Sequence, residues 1–313
     1  MTHEDKIKDM KNLKGTLILL LTALIWGTAF VAQTSASSSI SAFTFNATRS
    51  VLASIFLFLF VLLRAKITRI ESKPLFKKET IVAGIICGIP LFIATNLQQY
   101  GIELYPEGTA ASGRAGFLTA TYVIIIALYT LVKTKRFRPL ILIATVVCMT
   151  GMYLLCLSGG FSGIYIGDVL IFLCAIGFAV YILLVDRYGT VETVKVSCIQ
   201  FGVVAVLSLI GMFVFEQPSI KAIGQAWFPI CYAGILSSGI AYTLQMVGQK
   251  YAEPVVATIV MSLEAVFAAL SGWLILSERL HGRELIGCIL VFTAVILAQL
   301  PERQTDNHGQ TGN

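Results

Sequence analysis

Long apolar runs, separated by short polar or charged connections, fill nearly the whole chain. Their bounds predict ten helices: Gly15–Gln33, Ala42–Leu63, Thr80–Tyr100, Thr109–Val132, Pro139–Leu157, Gly167–Val185, Val194–Phe215, Trp227–Val247, Val255–Leu276 and Glu284–Leu300. At a rise of about 1.5 Å per residue, each run is close to the roughly 30 Å needed to cross the hydrocarbon core of a bilayer. The connections are too short for a soluble domain. The expected fold is an all-α membrane protein of ten transmembrane helices, with the lipid bilayer as its main partner. Residues 1–14 form an N-terminal segment and 301–313 a disordered tail. The run after Lys14 is longer than the apolar part of a signal peptide, and nine further runs follow it, so it is read as an uncleaved first span.

The pattern repeats. Leu97-Gln98 with Gly101 matches Leu244-Gln245 with Gly248, and Tyr105-Pro106-Glu107 resembles Tyr251-Ala252-Glu253. Gly15 lies eleven residues before Trp26, as Gly167 lies eleven before Phe178. Two units follow, 15–157 and 165–300, each with five helices. Because five is odd, the second unit must cross the membrane in the opposite sense, which gives an inverted repeat.

Composition supports this reading: of the 313 residues, 57% are hydrophobic and 13% charged, against roughly 25% charged in soluble domains. The net charge of +6 does not point to nucleic acid, because the basic residues sit in short clusters between apolar runs. With the N-terminus in the cytosol, eighteen of the 23 Lys and Arg fall on the inner side. Both termini are therefore expected in the cytosol of a cell with a bacterial-type cytoplasmic membrane. The seven cysteines lie in or beside apolar runs and have no CxxC pair, and His3, His281 and His308 lie outside the spans. The chemistry for an intramembrane protease is therefore missing, and no metal or other cofactor is expected. There is no phosphate-binding GxxxxGK[ST] loop, so ATP does not supply the energy. Nothing in the sequence specifies an oligomeric state.

A few polar groups stand inside the spans. Glu264 is the single ionisable residue in the 24 between Glu253 and Glu278, about 16 Å from one end of its helix. An acid at that depth costs at least about 2.5 kcal/mol to insert. It lines a solute or proton site, or it is neutralised at a packing seam beside the small residues Ala257, Ala268 and Ser271. Arg49, roughly 22 Å from the cytosolic edge, either binds an anionic solute group or pairs with a helix end; Gln200 takes its place in the second unit. Arg114 falls near the outer headgroups. The third run carries Asn96, Gln98 and Gln99 near its outer end, and Pro90 as a possible bend. In the eighth, Ser238, Tyr242, Gln245 and Gln249 recur at helical spacing as one polar stripe. With Trp26, Tyr122 and Tyr181 these side chains could wall a site for a small organic solute.

Trp26-Gly27, Ala47-Thr48-Arg49, and Ser262-Leu263-Glu264 followed by Ser277-Glu278-Arg279-Leu280 resemble the EamA branch of the drug/metabolite transporters. The likeness runs from about Gly15 to Leu300. It implies a secondary transporter that exports a small metabolite, amino acid or drug through a central cavity, with Glu264, Arg49, Trp26, Asn96, Gln99, Tyr122, Tyr181, Tyr242 and Gln245 as the expected contacts. A passive channel or a non-transporting sensor is the competing expectation. The family commonly has Glu-Pro in the ninth helix, and here Ala265 follows Glu264, so any kink must come from another source.

Overall fold

The computed structural model describes residues 3–37, 39–67, 74–106, 111–135, 138–157, 164–188, 191–276 and 282–300. The expected tail at 301–313 and the side chain of Arg114 lie outside the described set. Ten helices are long and apolar enough to cross a bilayer, and the described residues contain no strand. Lipid offers no partner for a free N–H or C=O, and only a helix satisfies both groups within one segment, so apolar runs of this length become helices.

Seven spans are single helices: His3–Ser37, Ala42–Ile67, Lys78–Glu103, Pro139–Cys156, Ile166–Arg187, Thr193–Phe215 and Gly282–Gln299, which are the first, second, third, fifth, sixth, seventh and tenth. The first begins at His3, well ahead of the expected Gly15. The third runs unbroken through Pro90.

The other three spans were expected to be continuous and are interrupted. The fourth is Ala111–Thr119 and Tyr122–Thr134; the ninth is Pro254–Met261 and Leu263–Leu276. The eighth passes from Trp227–Cys231 through a π-helical Tyr232–Ala241 into Tyr242–Gly248. In the fourth and ninth a back-bonded hydroxyl sits at the break. Thr121 Oγ1 donates to Leu118 O, and Ser262 Oγ donates to Ile259 O, both at 2.6 Å and both three residues back. Such back-bonding competes with the helix ladder and bends it. The ninth span is thus interrupted at Ser262 without a proline, next to Glu264-Ala265.

The principal packing pairs are the first span with the eighth and ninth, the second with the seventh and eighth, the third with the sixth and seventh, the fourth with the sixth, and the fifth with the tenth. If each span is exchanged for its counterpart five along, this set is unchanged. Small residues permit the approach, as expected where lipid removes the hydrophobic drive between helices. A Cβ on Gly84 would lie 2.5 Å from Ile199 Cβ, and one on Gly287 would lie 2.7 Å from Gly151 O.

Two matching contacts sit at opposite ends of the bundle. Where the first span begins, Gly15 packs on Gly248 and Tyr251, and Lys14 Nζ lies 5.4 Å above the Tyr251 ring. Where the sixth begins, Gly167 packs on Gly101 and Tyr105, and Tyr105 OH donates to Asp168 Oδ1 at 2.8 Å. Gly248 with Tyr251 and Gly101 with Tyr105 are the pairs matched by the sequence repeat. The two contacts form clasps, one on the face where the chain starts and one on the opposite face.

Candidate functional site

The three interrupted spans meet around one buried cavity of about 50 Å³. Thr119 and Tyr122 reach it from the break in the fourth span, Met261 and Glu264 from the break in the ninth, and Ser237, Tyr242 and Gln245 from the eighth. Continuous spans complete the wall with Trp26, Gln33, Arg49, Gln98, Phe178, Tyr181 and Ile182.

Glycines hold the charged groups in place. Gly27 lies so close to the ninth span that a Cβ there would be 2.6 Å from Glu264 O and 2.9 Å from Ala268 N. The Trp26-Gly27 pair thus sets the indole on the cavity and the ninth-span backbone against it. Gly234, in the π-helical stretch, approaches Arg49 O in the same way, and Gly88 approaches Gln200 O. Those two contacts are counterparts, since Gln200 stands where Arg49 does in the other unit.

Arg49 is 4% exposed, with its guanidinium 5.2 Å above the Phe45 ring. Glu264 is 7% exposed. Among the described residues no ion pair joins these two charges and no hydrogen bond reaches the Glu264 carboxyl. Tyr242 is the aromatic centre of the wall: its ring lies 4.7 Å from Trp26, 5.9 Å from Tyr181 and 5.4 Å from Phe201, each near edge-to-face. Gln98 Nε2 donates to Thr119 Oγ1, and Gln200 Nε2 donates to Tyr181 OH, both at 3.2 Å. Four polar atoms of the wall are buried without a partner: Trp26 Nε1, Gln33 Oε1, Arg49 Nε and Gln245 Oε1. Buried polar atoms are normally satisfied; these four share one cavity, while others such as Asn46 Oδ1, Ser50 Oγ, Gln200 Oε1, Ser238 Oγ and Gln249 Oε1 lie elsewhere in the bundle.

Of the nine residues singled out in the sequence, Glu264, Arg49, Trp26, Tyr122, Tyr181, Tyr242 and Gln245 line the cavity. Asn96 and Gln99 do not. Asn96 accepts from Asn46 Nδ2 at 3.0 Å and donates to Ser208 Oγ at 3.2 Å, in a polar junction of the second, third and seventh spans. Gln99 is buried away from the wall, one position past Gln98, which occupies it. The repeat held the signal for Gln98, because its match is Gln245. Sequence reading also missed Gln33, two turns along from Trp26, and Ser237. The miss at Ser237 has a local cause. Helical spacing assigned Ser238 to the stripe, but in the π-helix Tyr242 N–H bonds to Ser237 O, five residues back, which brings Ser237 under Tyr242.

The described residues hold no group of three or more His, Cys, Asp and Glu fit for a metal. What the wall offers is a fixed cation, a separate acid, amide and indole hydrogen-bonding groups, and aromatic faces. These features suit binding of a solute inside a ten-helix bundle, and with the apolar exterior they define a multi-pass membrane protein of the transporter class.

Comparison with known proteins agrees. The EamA-like transporter family matches residues 13–157 and 165–300, and the chain belongs to that family. A protein of Archaeoglobus fulgidus described as an uncharacterized transporter is 27% identical over 292 residues, covering 93% of this chain and 87% of the relative. The uncharacterized transporter YoaV of Bacillus subtilis is 21% identical over 292 residues, covering 91% and 96%. A crystal structure at 23% identity shares the fold with a TM-score of 0.74, covering 91% of this chain and 96% of its own.

Proposed function

We propose that this transporter moves a small organic solute outward across the cytoplasmic membrane by alternating access about the central cavity. Residues 15–157 and 165–300 are its two inverted halves, and both termini lie in the cytosol. The reading rests on the four partnerless buried atoms, Trp26 Nε1, Gln33 Oε1, Arg49 Nε and Gln245 Oε1, around one space. Each such atom costs about 1–3 kcal/mol unless something hydrogen-bonds to it, and a polar solute does so.

A cavity of about 50 Å³ holds a few waters, whereas organic ligands occupy roughly 300–1,000 Å³. Loading therefore requires the halves to part. The matching glycine clasps at opposite ends supply two closures that can open in turn. The unchanged packing pairs under exchange of halves favour two conformations of similar energy. The outward direction and the solute class follow the family likeness. Glu264 is the proposed coupling group, as the single acid at mid-depth of its span. Arg49, Tyr122, Tyr181 and Tyr242 line the same cavity.

A thermal-shift screen of purified protein against amino acids, purines and cationic drugs identifies the solute, since a ligand at a hundred times its Kd adds about 2.7 kcal/mol of stability. The hit is expected to be lost when Arg49→Gln and Glu264→Gln are combined, and kept in Lys221→Gln. In liposomes the flux saturates with solute concentration, and Glu264→Gln flattens its pH dependence. Flux that never saturates makes the protein a channel, and a ligand that binds without flux makes it a sensor. An unaltered pH profile in Glu264→Gln removes the coupling role.

A further inference from the structure

A second space, separate from the central cavity, opens sideways toward the lipid. It is a groove of about 640 Å³ between the second, third and seventh spans, walled by Ser54, Phe58, Phe76, Ile85, Gly202 and Val206 among others. It exists because the seventh span packs on both the second and the third, while those two meet directly at their other ends, where Asn46 reaches Asn96 and Phe43 stacks on Phe92. At Gly202 a Cβ would meet only Ser54 Oγ, at 3.5 Å, so this glycine leaves room above the floor that a side chain would fill. The lining is nearly all apolar. Ser54 and Cys198 are the polar exceptions, and each spends its side chain on the other's backbone carbonyl.

The groove also has a definite length and a charged mouth. Its shallow end is Phe76, whose ring stacks on Phe58 with centroids 6.4 Å apart and directly precedes Lys77 and Lys78. Its deep end, at Leu207, lies fourteen residues along the helix that begins at Thr193. That distance, about 20 Å, spans the roughly 15 Å hydrocarbon depth of one leaflet. At the level of the mouth, the described charges of these spans and their ends are Arg64, Lys66, Lys77, Lys78 and Lys195 against Glu79 and Glu192, and Lys195 is paired with Glu192 at 2.8 Å. Lys77 and Lys78 are exposed.

From this geometry we infer that the groove is a binding site for one anionic phospholipid, an acyl chain lying between the three spans and its phosphate at Lys77 and Lys78. An acyl chain matches the length and polarity of the slot, and the excess of cations at its rim selects a negative headgroup. The site lies against the second and seventh spans, which carry Arg49 and its counterpart Gln200, so the occupant sits where the halves meet.

The test is native mass spectrometry of the full chain in detergent, titrated with dioleoyl phosphatidylglycerol or dioleoyl phosphatidylcholine. Phosphatidylglycerol is expected to bind in a one-to-one complex at least tenfold more tightly. Each of Lys77→Gln and Lys78→Gln narrows that preference by roughly fivefold, as about 1 kcal/mol per cation implies. Gly202→Trp fills the slot and removes the tight complex. Val206→Trp does the same from a position 57% exposed, where substitution does not threaten the fold. Ile289→Trp, equally exposed on the tenth span, leaves binding intact. Equal binding of both lipids by the unaltered protein means annular lipid only and overturns the site. So does a tight complex that survives both tryptophan variants, or a dimer of the chain that these variants break.

Discussion

The two halves of the molecule can be laid against each other position by position, and at the cavity they agree in placement but differ in chemistry. Gln98 and Gln245, a matched pair, both face the space, as do Trp26 and Phe178. The back-bonded hydroxyl at the break of the fourth span has its counterpart in the ninth. Charge does not follow the pattern. Arg49 faces Gln200 across the relation, and Glu264 stands near the break in its span where the first half offers Tyr122. The two halves thus share the placement of the wall, while one contributes the cation and the other the acid. A cation on one side and an acid on the other make the cavity electrostatically asymmetric.

Making the halves alike at the charged position is the strongest way to break this contrast. Arg49→Gln gives the first half the residue of the second. Loss of hydrogen bonds from a charged group, worth about 1.5–3 kcal/mol, should weaken solute binding roughly 10- to 150-fold, measured by calorimetry on the ligand found above. Gln200→Asn, on the counterpart, forfeits only the bond to Tyr181 OH and should cost less than about fivefold. Equal losses in the two variants would show that the asymmetry of charge is not what the solute reads.

A smaller effect separates the glycines beside the two aromatic walls. In Gly27→Ala the new methyl lies 2.6 Å from the Glu264 carbonyl. Overpacking of that kind costs about 1–3 kcal/mol, so the melting temperature should drop by several degrees. Gly177→Ala, with Ala94 Cβ at 3.1 Å, should cost less than about 1 kcal/mol. Gly224→Ala has open space and serves as the reference; a Gly27→Ala protein that melts with it would remove the proposed tight seam.

The clasps sharpen the comparison further. Tyr105→Phe deletes a hydrogen bond to Asp168, and Tyr251→Phe keeps the ring under Lys14. The first should lose about 1–2 kcal/mol in denaturant or thermal unfolding and the second less than about 0.5 kcal/mol. If both lose the same, the clasps are alike in strength despite their different chemistry.

Much of the architecture could be read along the chain. Ten spans, a repeat in two parts and an acid at mid-depth all emerged from spacing, because in lipid a long apolar run has no alternative to a helix. The candidate site was less accessible. Asn96 and Gln99 had the right polarity and depth, yet one is spent on a helix junction and the other faces away. Ser237 escaped because the π-helical turn shifts the register of the eighth span by one residue. Gln33 gave no signal beyond closing the first run.

What linear order settles here is local: where the backbone must satisfy itself, how deep each polar group lies, and which positions are copies of one another. Which side chains share a cavity is a different kind of fact. It depends on how far each helix is rotated and where it breaks, and these are set by contacts such as Gly27 with Glu264 or Gly234 with Arg49. Such partners are separated by well over a hundred residues, and no spacing within either segment encodes their meeting.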